Sequence, residues 1–488
     1  MYLKQILHGT GIACPGELEN TEITDVAYDS RKVERGNIFI CVRGYNTDGH
    51  LFALDAAAKG AAVVVSEDAL EIEGVPVLRA EDGRLALSRV SANFFMDPTR
   101  DLKIIGVTGT NGKTTITYMI RSVLEAAGES CGVLGTIAYQ FGGKLYESVN
   151  TTPESYELQR LFAEMRAEGV KNCVMEVSSH SLELSRARDI HFDYSIFTNL
   201  TPDHMDFHRD LDDYYNSKKK LFYLTEKTST INIDDSYGKM LYTELKAAGK
   251  PVISYSLKTR SADYYGEIIS STDKGSELLL SVNGAEHGKI KIKTPGIFTI
   301  YNALATISIC MASGMDFNKV KKGLEALKGV PGRFELVENS KDMIVIVDYA
   351  HTPDALEKVL KTALSFKRGR LICVFGCGGD RDRKKRPLMG KAAGEYSDYC
   401  IITSDNPRTE DQAGITADIE AGIYETGCIY EIIENRYEAI KKAISIYRKG
   451  DILIIAGKGH EDYQIIGTVK SHFDDRETAR EIIEGWQE

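Results

Sequence analysis

The run Gly106-Val107-Thr108-Gly109-Thr110-Asn111-Gly112-Lys113-Thr114-Thr115 constrains this chain more than any other stretch of it. It follows the apolar segment 102–105 and precedes a helix-patterned segment, 116–127. A glycine-rich turn between a strand and a helix presents bare backbone N–H groups at the positive end of that helix, which suits phosphate. Lys113 adds a point charge for terminal phosphates, and the Thr114 hydroxyl offers a ligand for Mg²⁺. The predicted ligand is a nucleoside triphosphate, bound by Gly109, Thr110, Asn111, Gly112, Lys113, Thr114 and Thr115. The usual loop carries a glycine five residues before the Gly-Lys pair. Val107 stands there instead, so the loop is a variant.

At 488 residues the chain has room for about three domains. The sequence divides at 1–101, 102–333 and 334–488, with Met96-Asp97-Pro98-Thr99 read as a linker and Pro331-Gly332-Arg333 as the second boundary. The first block holds short strands at 37–42 and 61–65 and a helix at 51–59. The second and third alternate strands with helices, which implies largely parallel sheets. Segment 253–292 alternates more strictly and predicts an antiparallel portion. A net charge of −11 argues against nucleic acid as a partner. No run reaches the roughly 20 apolar residues of a membrane span, and residues 1–10 lack the features of a signal peptide. Nine scattered cysteines without CxxC pairs read as reduced thiols of a cytoplasmic protein.

In both large blocks the strand-like runs end in polar residues. Segment 173–177 contains Glu176 and leads into Ser178-Ser179-His180, and 194–197 leads to Asp203-His204. In the last block, 343–347 leads to Asp348-Tyr349-Ala350-His351, and 371–375 to Gly376–Arg381. There too, 399–403 leads to Asp405-Asn406-Pro407-Arg408, and 451–456 to Gly457-Lys458-Gly459-His460-Glu461. Open α/β sheets bind ligands outside the carboxyl ends of their strands. Two such edges facing one cleft would hold two substrates, which favours a transferase or ligase over a simple hydrolase.

Glu176, in an apolar run near the phosphate loop, is predicted as a Mg²⁺ ligand, because Mg²⁺ prefers hard oxygen donors. His204 reads either as a satisfied loop histidine or as a site residue. The His204/His208 spacing resembles a zinc pair, but Met205 replaces the glutamate such sites need, and no zinc site is predicted. The basic cluster 381–386 reads as an anion site for at least one arginine, with the rest solvated. Asp405-Asn406-Pro407-Arg408 combines a carboxylate, an amide and a guanidinium fork, which fits an amino acid with an extra carboxylate. A helix-capping turn is the other reading.

These stretches carry a resemblance. Thr108–Thr115 resembles the ATP loop of the Mur ligases and of the related folylpolyglutamate synthetases. Asp29-Ser30-Arg31, Asp48-Gly49-His50, Asn150-Thr151-Thr152-Pro153, 176–180, 198–204, 348–353, 376–381, 405–408 and 457–461 are similar to one Mur ligase branch. That branch adds the third residue of the peptidoglycan stem peptide. The resemblance implies an N-terminal UDP-binding α/β domain, a central P-loop ATPase-like domain and a C-terminal Rossmann-like domain. It implies ATP and Mg²⁺, UDP-N-acetylmuramoyl-L-alanyl-D-glutamate as acceptor, and meso-diaminopimelate as amine, in a monomer. Lys113, Glu176, His204 and Lys218 would be catalytic. Thr114, Glu176, His204 and a CO₂-derived carbamate on Lys218 would hold the metal. Asn302, Arg333, Asp348 and His351 match ATP positions. Ser30, His50, Asn150, Thr151, Thr152, Ser178 and Arg186 match acceptor positions. Arg381, Asp405, Asn406, Pro407, Arg408, Gly457 and Glu461 match diaminopimelate positions. Leu184 stands where glutamine is frequent, and Thr299 where asparagine is. Without the resemblance, Lys218 is one of three lysines on a solvated helix. An L-lysine-adding relative is the nearest alternative, and a folylpolyglutamate synthetase-like ligase is another.

Overall fold

The computed structural model describes residues 1–44 and 47–485 and carries three main sheets in chain order. The first is four-stranded and parallel: Val26–Ala27, Ile38–Ile40, Val63–Ser66 and Val77–Arg79. The helix expected over 51–59 is split into a 3₁₀ turn, Gly49–Phe52, and a short α-helix, Ala53–Ala58. Asp48 starts the turn early, because its carboxylate accepts from His50 N at 3.0 Å. The segment read as a linker is a packed corner. Met96 and Asp97 adopt left-handed backbone, Pro98 and Thr99 are buried, and Arg166 donates to Phe95 O and Met96 O.

The second sheet has eleven strands. Lys103–Thr108 runs parallel between Asn172–Glu176 and Phe192–Phe197. The chain places Cys131–Leu134 and Asn172–Glu176 to one side of it and Phe192–Phe197 to the other, so the phosphate loop emerges at a switch point. Helix Lys113–Ala126 follows and buries Ile116, Met119, Ile120, Val123 and Leu124, an apolar stripe of helical spacing. The antiparallel portion is Tyr264–Thr272, Gly275–Val282 and Ala285–Ile292. The opposite edge carries a further antiparallel hairpin, Ala138–Phe141 and Lys144–Glu147, which alternation within 253–292 gave no hint of.

The third sheet orders Glu335–Leu336, Ile344–Asp348, Ile452–Ala456, Leu371–Phe375, Tyr399–Ile402 and Ile429–Ile432. All but the first run parallel. Its central strands are buried on both faces, as their continuous Ile, Leu and Val runs require. Among the described residues no helix is long and apolar enough to cross a membrane.

Candidate active site

The phosphate loop is held from both sides. Thr110 Oγ1 donates to Thr201 O (3.1 Å) and accepts from Thr201 N (3.0 Å), and Asn111 N donates to Asn199 Oδ1 (3.0 Å). Gly112 has φ +94°, and a Cβ there would strike Asn302 Oδ1, so only glycine fits. Lys113 Nζ donates to Gly109 O and Thr110 O, both at 2.9 Å. Thr114 Oγ1 accepts from Arg333 at 3.0 Å, and the Arg333 guanidinium lies 4.6 Å over the Tyr349 ring. Asp348 is buried beside this group and accepts from Phe334 N (2.6 Å) and Ala350 N (2.8 Å). Burial pushes its carboxyl up to about 6, against the pull of Arg333.

Lys218 corrects the view of a solvated lysine run. It is 1 % exposed, and its Nζ donates to the same Gly109 O (3.0 Å) that Lys113 uses. Burial, reinforced by Lys113, drives its pKa well below the usual lysine range. Glu176, also 1 % exposed, accepts from Thr136 N (2.8 Å) and Thr136 Oγ1 (3.1 Å). His204 has left-handed backbone, φ +56°, rare for a non-glycine residue and common at functional positions. Desolvation at the wall of the two cavities lowers its pKa to about 4, so the ring is neutral at pH 7 and one ring nitrogen can act as a ligand. The nitrogens of His208 face Ser179 Oγ (2.9 Å) and Asp213 (3.4 Å).

On the acceptor side, Thr151 Oγ1 lies 3.1 Å from Thr136 Oγ1. Thr152 Oγ1 donates to Glu176 O (2.9 Å) and accepts from Ser178 N (3.0 Å). Arg186 donates to Thr152 O (3.3 Å) and pairs with Glu154 (2.7 Å). Asn150 is fixed by the Tyr139 hydroxyl at 2.6 Å. Thr299 turns into the core and donates to Pro295 O.

The third sheet presents Asp405, Asn406, Arg408, Gly457 and Glu461 together. Asn406 Nδ2 donates to Glu461 Oε2 (2.9 Å), and Gly457 packs against the Asp405 carboxylate. Arg408 takes left-handed backbone, φ +53°, and donates to Gly379 O at 2.8 Å. The buried pair Arg436–Asp475 (2.7 Å) stands behind both loops. Arg436 donates to Ser404 O (3.1 Å) and Ala456 O (3.0 Å), tying the ends of two strands. The basic cluster is not uniformly solvated beyond Arg381. Arg386 is fully buried and ion-paired with Glu410 and Asp418, each at 2.9 Å.

Two cavities result. One, about 680 Å³, is lined by Thr110–Thr115, Glu176, His204, Asn302, Arg333, Asp348 and His351, with Ile297, Phe298 and Tyr301 as an apolar wall. The other, about 1890 Å³, is lined by Asn150, Thr151, Arg381, Asp405, Asn406, Arg408, Gly457 and Glu461. Thr136, Thr151, Asp203, His204, Tyr349, His351 and Thr352 line both. Ser30, His50, Gly109, Thr152, Ser178, Arg186, Pro407 and Lys218 line neither. In the loop leading to His50, residues 45 and 46 lie outside the described residues. Two contributors escaped the sequence reading. Thr136 follows the strand Cys131–Leu134, where the strand-end rule would have found it. Asp354 accepts from Asn111 Nδ2 and Thr201 Oγ1, both at 3.0 Å, and so joins the third sheet's layer to the phosphate loop.

Fold and cavities together define a P-loop protein of three α/β units, with a phosphate-loop cavity and a larger polar cavity sharing one wall. Residues 22–95 match the Mur ligase family catalytic domain, 107–310 the Mur ligase middle domain, and 332–459 the Mur ligase glutamate ligase domain. The chain is 47% identical over 482 residues to the UDP-N-acetylmuramoyl-L-alanyl-D-glutamate–2,6-diaminopimelate ligase of Alkaliphilus oremlandii, covering 99% of each. It is 48% identical over 484 residues to the ligase of the same name from Clostridioides difficile, again 99% of each. A solved structure bearing that ligase name superposes with a TM-score of 0.71 at 33% identity, over 99% of both chains. MurF from Thermotoga maritima in complex with ADP shares the fold, with a TM-score of 0.63 at 16% identity over 95% of this chain and 97% of that one. The chain belongs to the Mur ligase family.

Proposed function

We propose that this chain is an ATP-dependent amide ligase that joins meso-2,6-diaminopimelate to UDP-N-acetylmuramoyl-L-alanyl-D-glutamate, in peptidoglycan precursor synthesis. One observation carries the mechanism: the phosphate-loop cavity and the Asp405–Glu461 cavity share the wall formed by Thr136, Thr151, Asp203 and His204. A group activated at the first is therefore within reach of a nucleophile held in the second. Near-half identity to full-length relatives of that name supports the substrate assignment.

The acceptor's D-glutamyl γ-carboxylate attacks the γ-phosphorus of ATP, ADP leaves, and an acyl phosphate forms. An amine of diaminopimelate then attacks the acyl carbon, phosphate leaves with the former carboxylate oxygen, and the ammonium loses its proton as the amide forms. Residues 102–333 would hold ATP, 334–488 the amino acid, and 1–101 the uridine diphosphate end through Ser30 and His50. The work would be done by a monomer in the cytoplasm. Lys113 would pair with the terminal phosphates, Asn302, Arg333, Asp348 and His351 would orient the nucleotide, and the Ile297–Phe298 wall suits a base. Asn150, Thr151, Thr152, Ser178 and Arg186 would orient the acceptor.

Thr114, Glu176 and His204 line one cavity and would hold Mg²⁺ there, offering a hydroxyl, a carboxylate and a ring nitrogen beside the phosphate loop. When bound, it supplies neutralisation of charge on the transferring phosphoryl group. Lys218 has the chemistry for a carbamate. Only a neutral amine adds to CO₂, and burial beside Lys113 favours the neutral amine. The carbamate would put an anion beside the Lys113 cation at one carbonyl, in place of a neutral amine.

Arg408 would pair the distal carboxylate of diaminopimelate and Glu461 its ammonium. L-Lysine lacks that carboxylate and would leave the guanidinium unpaired. Discrimination of about 1.5–3 kcal/mol follows from one charge-assisted bond. The test is phosphate release with ATP, the UDP-muramoyl dipeptide, and meso-diaminopimelate, L-lysine or no amine. Turnover should require an amine and favour diaminopimelate at least tenfold. Faster turnover with lysine would overturn the specificity, and no turnover with either amine would overturn the activity.

A further inference from the structure

Lys458 is fully buried in the loop that carries Gly457 and Glu461, yet neither the mechanism nor the residue matches above use it. Its Nζ donates to Glu461 Oε2 at 3.2 Å and to Tyr463 O, and it lies 5.3 Å from the centre of the Tyr463 ring. Asn406 Nδ2 donates to the same Oε2 at 2.9 Å. The Asn406 amide is fixed in turn, since its Oδ1 accepts from Ile465 N at 2.9 Å. Both bonds to the Glu461 carboxylate therefore fall on one oxygen, while Glu461 lines the large cavity.

We infer that Lys458 is a positioning residue for the amine substrate: it fixes the Glu461 carboxylate and keeps it ionised beside Asp405, so the pocket offers a net negative charge to an ammonium. The inference rests on the assignment of this loop to the amino acid. Asp405 and Glu461 line the same cavity, and a partly buried carboxylate beside another is kept ionised by a counter-charge. Burial and Asp405 both raise the Glu461 pKa, and Lys458 and Asn406 oppose them. The groups facing Glu461 are Asp405 beyond Tyr399–Ile402, Lys458 on its own loop, Tyr349 beyond Ile344–Asp348, Tyr463, and Arg436. Arg436 is already matched by Asp475, so Lys458 is the cation that bonds directly to Glu461.

The experiment measures KM for meso-diaminopimelate, ATP and the UDP-muramoyl dipeptide in wild type, Lys458→Met, Lys458→Arg, Glu461→Gln and the Lys458→Met/Glu461→Gln double variant, from pH 6 to 9. Thermal unfolding checks that each variant is folded. Lys458→Met should raise the diaminopimelate KM about 10- to 100-fold and leave the ATP KM within about twofold. That KM should fall as pH rises, because Glu461 binds a proton at low pH once the lysine is gone, whereas wild type should be flat over this range. Lys458→Arg should recover most of the loss. In the Glu461→Gln background, Lys458→Met should add less than about threefold, the non-additivity of a residue acting through its neighbour. An unchanged diaminopimelate KM in Lys458→Met, beside a raised one in Glu461→Gln, overturns the role of Lys458 alone. Equal rises for all three substrates, or full additivity, overturn it in favour of a structural role. An unchanged KM in Glu461→Gln overturns the assignment of the loop as well.

Discussion

Asp354→Ala is the perturbation that most sharply probes how the two large sheets cooperate. Asp354 lies in the first turn of helix Pro353–Leu364 on the third sheet. Its Oδ2 accepts from Asn111 Nδ2 and Thr201 Oγ1 on the second, both at 3.0 Å, and from Lys358 Nζ at 2.7 Å. The Lys358 bond is local and exposed and adds little. The two bonds that cross between sheets contribute about 1 kcal/mol each, so alanine costs this apposition of the two layers about 2 kcal/mol. At 1.4 kcal/mol per factor of ten, the apposition of the two pockets weakens about 30-fold. The assay is phosphate release at subsaturating substrates, with radius of gyration from X-ray scattering under the same conditions. The expected result is a kcat/KM lower by about 10- to 30-fold, a more expanded particle, and nucleotide affinity of the isolated loop little changed. Asp354→Asn keeps one acceptor oxygen and should lose less. A kcat/KM within twofold of wild type, with unchanged scattering, would refute the coupling.

Gly112→Ala should weaken ATP binding at least about tenfold by calorimetry, because the left-handed backbone and Asn302 both exclude a Cβ. Lys218→Ala should abolish most turnover, with partial recovery in added short-chain carboxylates; full activity without them would remove any need for a carbamate. Asp348 carries a folded-state pKa near 6, above the unfolded value near 3.9, so the ligand-free protein loses stability as pH rises between those values. The loss is on the order of 2 kcal/mol, complete by about pH 7. Chemical unfolding of Asp348→Asn across pH 4–7.5 should lack that decline, and a slope equal to wild type would reject it.

The phosphate loop and the strand-end chemistry were legible because they follow from backbone geometry. A Gly-rich turn between Lys103–Thr108 and Lys113–Ala126 leaves few conformations open, and Glu176, Asp348, Asp405 and Gly457 all fall at or within three residues of a strand end, with His204 on the loop that follows Phe192–Phe197. What local sequence does not carry is burial produced by distant packing. Lys218 and Arg386 sit in runs of cations that read as solvated, yet one is buried under Gly109 and the other between Glu410 and Asp418. Asp354 likewise looks like an ordinary first-turn helix acid, and its partners lie 243 and 153 residues away. The split of segment 51–59 was missed for a local reason, the competing turn made by Asp48.

Isotope transfer tests the shared-wall mechanism most directly. The acceptor is prepared with ¹⁸O in the D-glutamyl γ-carboxylate and turned over with ATP and meso-diaminopimelate, and phosphate and nucleotide product are weighed by mass spectrometry. Activation followed by amine attack predicts one ¹⁸O in each released phosphate and a product heavier by one diaminopimelate less one labelled water. Phosphate released without label, or ATP consumed with no such product, would contradict it.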